Sequence, residues 1–343
     1  MIKKITRQTF IYLKPAIDII LSLLVTISNP IIDRIRRIGL DQLPRTKRQI
    51  LRAGIDLIWY TGDDPVESDI SPQKPVAILF QGGLGAQIIS ASIYFYLRNQ
   101  GYKIYADFSY FNNEKYLASA GDGRCSQWEY RLDGYGLSMT GFENINSFTD
   151  IKATLIPDGV LKAQLFRKAI ADPDVKNYFP TSKSYEIINS INFFQLNFLD
   201  PHSYVCMHVR RGDYQNSAVH YIVPEISFLA MADKFIKAYS TIIIMSDSKL
   251  SIEFKSEIER KFSKVIILDD MSMDELITHS IMRLAAILIC SNSQFSITAG
   301  ALSDGLAFFP NRFFEGAHQQ ALAQVLYEDY AKFSLLDLGI ISK

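Results

Sequence analysis

Cysteine is scarce in this chain of 343 residues, which holds only Cys125, Cys206 and Cys290. They are odd in number and far apart, and no CxxC or Cys/His spacing of a zinc site accompanies them. Cys206 and Cys290 sit inside apolar runs, where a reduced thiol packs as a small hydrophobe. Histidine is equally thin, five residues without an HExxH pattern. These absences exclude a disulfide scaffold and lead us to expect a reducing compartment and no structural metal. Net charge is lacking too: 36 Lys and Arg balance 36 Asp and Glu, so nothing global points to a nucleic-acid partner. The chain shows no internal repeat and no low-complexity tract.

The balance of charge is uneven along the chain. Residues 1–52 carry 11 basic and three acidic side chains, 11 − 3 = +8, which leaves −8 for the remainder. Within this arm, PAIDIILSLLVTISNPII (15–32) is apolar but interrupted by Asp18, Asn29 and Pro30. Spanning a bilayer takes about 20 apolar residues, so the run is marginal, and it lacks the small-residue cleavage site of a signal peptide. Three readings stay open: a helix packed on the main body, a helix lying on an anionic membrane surface, and a span. We expect residues 1–70 to be a helical extension, with residues 1–50 the part that would make peripheral membrane contact under the second reading.

The breaker-rich stretch 60–75 separates the arm from an alternation of short apolar runs and helical segments. VAILF (76–80), KIYAD (103–107), YVCMHV (204–209), TIIIMSD (241–247), KVIILDD (264–270) and AAILICSNS (285–293) read as strands. Strands spaced by helices of this length predict parallel sheets with crossovers. The fold class expected is therefore α/β with two Rossmann-like domains, at 71–200 and 201–343. An apolar content of 48% is enough to give each a core. Between 111 and 201 the pattern is looser, and no long apolar strand stands out.

Four stretches carry the chemistry. In YVCMHV, alternation puts Val205, Met207 and Val209 on one face and Cys206 and His208 on the other. Arg210, Arg211 and Asp213 then leave the strand at its carboxyl end, where ligands of open α/β sheets sit. Two guanidinium forks suit phosphate, and Asp213 is placed to hold one of them. An RGD abutting an apolar strand is not an adhesion loop. FQGGLGAQ (80–87) brings Gly83 and Gly85 to a strand-to-helix turn, either for ligand approach or for packing. It also half-matches a dinucleotide fingerprint, with Asp107 near the ribose position. Ser246 and Asp247 end one strand, and Ser293 with Phe295 begins a helix after another, so three strand ends share one rim.

The order GGLG-Q, HVRRGDY, SD, NSQFS resembles the α-1,2-fucosyltransferases of glycosyltransferase family 11, over roughly residues 76–315. The closing FFPNRFF (308–314) is similar too. The resemblance implies the two-Rossmann-domain type called GT-B, metal-independent, with GDP-fucose held mainly by the second domain and a glycan hydroxyl as acceptor. It implies that Arg210 holds the donor's β-phosphate, with Arg211 second. His208 and Asp213 would support that site, Ser293 and Phe295 lie beside the pyrophosphate, and Gly83 and Gly85 face donor and acceptor. Asp107 is the candidate base. The implied setting is surface polysaccharide or glycolipid synthesis, in the cytoplasm or peripherally on the inner membrane face. The chain departs from the family at Ala86 for Asn, Ser248 for Asp, and Ile297 and Thr298 for paired tryptophans. At Thr278 the family has an acid that reads guanine, a role Asp274 takes over only if its helix shifts.

Overall fold

The computed structural model describes residues 70–111, 129–145, 153–156, 160–216, 220–235, 239–269, 273–310 and 333–336, with the side chains of 160, 213, 216 and 333–336 left aside. The expected N-terminal helical extension lies outside the described residues. The chain divides into two compact units, 1–64 and 65–343, and both sheets belong to the second.

Each apolar run of the first block forms an element where its pattern predicts one. β1 (Val76–Leu79) leads through the glycine turn into α1 (Leu84–Asn99), and Gly101 closes that helix before β2 (Ile104–Asp107). Two short strands, β3 (Asn144–Ile145) and β4 (Thr154–Ile156), complete a four-stranded parallel sheet in the order β3-β2-β1-β4. Helices α2 (Val160–Ala171), α3 (Pro173–Lys176), α4 (Thr181–Asn189) and α5 (Phe193–Leu196) fill the stretch whose pattern is loose in the sequence.

The second block is more regular. β5 (Val205–Val209), α6 (Glu225–Ala232), β6 (Thr241–Ser246), α7 (Ile252–Lys261) and β7 (Lys264–Leu268) run in order. They are followed by α8 (Glu275–Arg283), β8 (Ile287–Ile289), α9 (Gln294–Ala301), β9 (Leu306–Pro310) and β10 (Phe333–Leu336). The six strands are all parallel in the order β10-β9-β8-β5-β6-β7. Counted from β5, this is the doubly wound order 3-2-1-4-5-6, in which the direction of winding reverses between β5 and β8. That reversal opens a crevice at the carboxyl ends of the two strands. The α/β class with parallel, Rossmann-like sheets is what the structure shows.

The strand alternation decides which core each residue joins. Val205, Met207 and Val209 pack with Ile242, Ile244, Phe228, Phe254 and Ile258 under α6 and α7. Cys206 points the other way, into a core it shares with Ile243, Leu288 and Ile297 and, from the first block, with Ile78 of β1, Phe80 just after it and Ile88 of α1. The two sheets are thus joined by one continuous apolar core rather than by a polar interface.

One close seam lies between α1 and α9. A Cβ added to Gly85 would stand 2.6 Å from the Phe295 nitrogen and 2.7 Å from the Gln294 carbonyl carbon. Only a residue without a side chain lets these backbones meet.

Candidate active site

β5 and β6 pair in register, with Val209 opposite Ser246. The next residues, Arg210 and Asp247, therefore leave adjacent strands side by side. Arg210 Nη1 lies 2.9 Å from Asp247 Oδ2. The other carboxylate oxygen accepts from the backbone N–H groups of Arg211 at 2.7 Å and Gly212 at 3.0 Å. One carboxylate thus fixes both the guanidinium and the turn that follows it, with the strength of charge-assisted bonds. A Cβ on Gly212 would fall 2.3 Å from Asp247 Oδ2, so a side chain there would displace the carboxylate. The sequence reading gives the organising role to Asp213. Asp213 belongs to the one-turn helix Gly212–Asn216, with its side chain outside the described ones, and among the described side chains the carboxylate that holds the loop is Asp247.

The two arginines diverge. Arg210 remains one-fifth exposed and passes over the Tyr214 ring at 5.4 Å. Arg211 is turned into the protein, and its Nη1 donates to the Arg210 carbonyl at 3.0 Å. Burial lowers its pKa, against the opposing pull of Glu225 and Asp247. The pair is therefore one presented cation and one buried support, rather than two equal forks. Ser246 serves the same rim by accepting from the Ser248 N–H at 3.2 Å.

Across the crevice, β8 ends in a serine-rich turn. Ser293 caps α9 by accepting from the Ser296 N–H at 3.2 Å. Ser291 donates to Ser293 at 3.1 Å and lies 3.0 Å from Ser296 Oγ. His208, only 4% exposed, is anchored to this network through Nδ1, with Ser291 Oγ at 3.1 Å and a short contact to Ser296 Oγ. Burial, reinforced by the charge of Arg210, lowers its pKa to about 3. The imidazole is thus neutral at neutral pH and stands behind the rim, holding β5 to α9. Phe295 packs its ring 5.6 Å from His208 and 5.3 Å from His279.

The glycine turn meets this crevice from the first sheet. Gly82, at φ 72°, takes the left-handed conformation, whereas Gly83 is extended and caps α1 without a side-chain bond. Gly85 makes the contact with α9 described above, so its place in the turn has a packing reason. Gln87 is fully buried and clamps the turn: Nε2 donates to the carbonyls of Gly82 and Glu129, both at 2.8 Å, and Oε1 accepts from the Arg131 N–H at 2.8 Å. The signal for Gln87 was present in the GGLG-Q order, but its clamp needs residues 129–131, which are distant in sequence. Ala86 is half-buried on the same turn.

Three expectations meet different surroundings. The Asp107 carboxylate is buried and accepts from the Ser109 N–H at 2.9 Å, a local turn at the end of β2. Asp274 caps α8 by accepting from the Leu276 N–H at 2.8 Å, and Thr278 donates its hydroxyl to the Asp274 carbonyl at 3.0 Å. Ile297 and Thr298 are buried, with Thr298 Oγ1 3.1 Å from His279 Nε2. Among the described residues no three His, Cys, Asp or Glu side chains are grouped as metal ligands would be. Among them, too, no helix is long and apolar enough to cross a membrane.

No protein-family model matches the chain, and no curated protein matches it. Solved structures similar to it include POFUT1 in complex with GDP-fucose, at 11% identity over 70% of this chain and 98% of that one, with a TM-score of 0.38. ADP-heptose LPS heptosyltransferase II of E. coli aligns at 11% identity over 69% and 85%, TM-score 0.35. A family 9 glycosyl transferase from Veillonella parvula aligns at 12% over 70% and 82%, TM-score 0.33.

Proposed function

We propose that this chain is an inverting glycosyltransferase that takes fucose from GDP-fucose and transfers it to a glycan hydroxyl, in surface polysaccharide or glycolipid synthesis. The observation that carries this reading is the meeting of Arg210, fixed by Asp247, with the Ser293-capped start of α9 across the winding reversal of the second sheet. Strand ends at such a point are where α/β sheets take ligands, and N–H groups at a helix start favour phosphate. The fucose and guanine parts rest on the motif resemblance in the sequence.

Transfer breaks the bond between the anomeric carbon and the diphosphate and places negative charge on the departing nucleotide. In this reading Arg210 and the first N–H groups of α9 meet that charge, without a metal. Arg211, His208, Ser246 and Asp247 hold those groups in place, and Phe295 borders the pyrophosphate. The acceptor hydroxyl attacks from the opposite face, from the side of the glycine turn.

The test is calorimetric titration with GDP together with chromatographic measurement of GDP release from GDP-fucose. GDP binding and turnover are expected in the wild type, with Arg210→Ala weakening GDP by roughly 10- to 100-fold, as for loss of a charge-assisted contact. Turnover of a different sugar nucleotide, with none of GDP-fucose, moves the donor assignment. GDP binding without any turnover points to a catalytically silent relative, a reading motivated by Ala86 and Thr278.

A further inference from the structure

One carboxylate in the crevice is used neither as a cap nor as a counter-ion of the arginine loop. Glu275 is the first residue of α8, directly after the capping Asp274. The amide of Leu84, in the first turn of α1, hydrogen-bonds its carboxylate across the junction of the two sheets. Its Oε2 is buried and has no hydrogen-bond partner among the described residues. The charges that bear on it are Arg131 on the segment clamped by Gln87, Arg210 on the β5 loop, and Asp274 beside it at the cap of its own helix. Arg131 pairs with Glu129 at 3.2 Å, yet its Nε is likewise buried without a partner among the described residues.

A carboxylate with an unengaged oxygen, within the field of the arginine expected to hold the leaving group, is placed to accept a proton in the same reaction. Asp107, the sequence candidate, spends an oxygen on its own turn and lies buried at the end of β2. We propose that Glu275 is the catalytic base, which takes the proton from the acceptor sugar's hydroxyl. The proposal rests on the glycosyltransferase reading above. As the hydroxyl O–H bond breaks, its proton moves to the Glu275 carboxylate and its electron pair forms the new bond to the anomeric carbon. The bond from that carbon to the diphosphate breaks, and its electrons leave with the nucleotide. The proton passes to solvent after the product departs. Burial raises the Glu275 pKa, opposed by Arg131, the Leu84 amide and Arg210, which makes the carboxylate a stronger base than an exposed one.

Glu275→Gln tests this, because the amide oxygen still accepts from Leu84 and preserves the bridge between the sheets. In full-length protein with GDP-fucose and a glycan acceptor, kcat is expected to fall by roughly 100-fold or more. GDP affinity and donor KM should stay within about threefold, and the acid limb of the wild-type kcat profile should disappear. An active wild type whose Glu275→Gln form keeps kcat within threefold overturns the base assignment and leaves the glycosyltransferase reading standing. A wild type that binds GDP but turns over no sugar nucleotide overturns both. If the variant loses GDP binding and its urea midpoint together, Glu275 is a structural bridge and the proposal falls.

Discussion

Asp247 shows how much one side chain at a strand end can organise. It compensates Arg210 and satisfies two consecutive N–H groups that would otherwise turn into the crevice unpaired. Leaving a buried donor unsatisfied costs about 1–3 kcal/mol. Asp247→Ala is therefore expected to lower unfolding stability by about 2–4 kcal/mol, read as a lower urea midpoint with an unchanged slope, and to weaken GDP with it. A variant of wild-type stability would refute the assignment. The sequence alone identified Asp247 as a residue at the right rim, from its place after an apolar run. Its partner was not legible, because the pairing depends on β5 and β6 being neighbours with Val209 opposite Ser246. Glu275 and Arg131 gave no motif signal, since their meeting point exists only after the two sheets have docked.

Among the elements, long apolar runs were the legible ones. β1, β5, β6 and β7 fall within one or two residues of the runs that announce them, and the face assignment along β5 is matched by its two cores. The strands β3 and β4 have only two and three residues. Sequence periodicity cannot register so short an alternation, and the sheet edge, not local propensity, defines them. The β5–α9 connection carries a pH signature. His208 titrates near 6.5 in an unfolded chain and at about 3 when folded, and burial with the charge of Arg283 also drives His279 well below its ordinary value. Between these limits the unfolded chain binds more protons, so stability falls as pH drops below about 6.5 and keeps falling towards 3. The His208 share of that loss is about 4–5 kcal/mol at the acid end. Urea unfolding from pH 7 to pH 4 should show this slope, and His208→Asn should flatten part of it. A wild-type slope unchanged by the substitution would remove His208 as its source.

For the whole molecule, the division after Asp64 makes residues 65–343 a compact unit that contains every group named in the crevice. A chain beginning at Pro65 is expected to unfold in one cooperative transition and to bind GDP within about twofold of the full-length protein. If the basic arm makes the membrane contact its composition suggests, the full-length protein will pellet with anionic vesicles and the shorter chain will not. Equal partition of the two would rule out the arm as the anchor. The junction of the sheets has a separate consequence. Because the Gly85 backbone rests on Gln294 and Phe295 with no room for a side chain, the two halves are not interchangeable modules. A chimera that replaced one sheet with that of a relative would have to carry the glycine turn and the first turn of α9 across as a matched set, so the two halves are constrained to be inherited together.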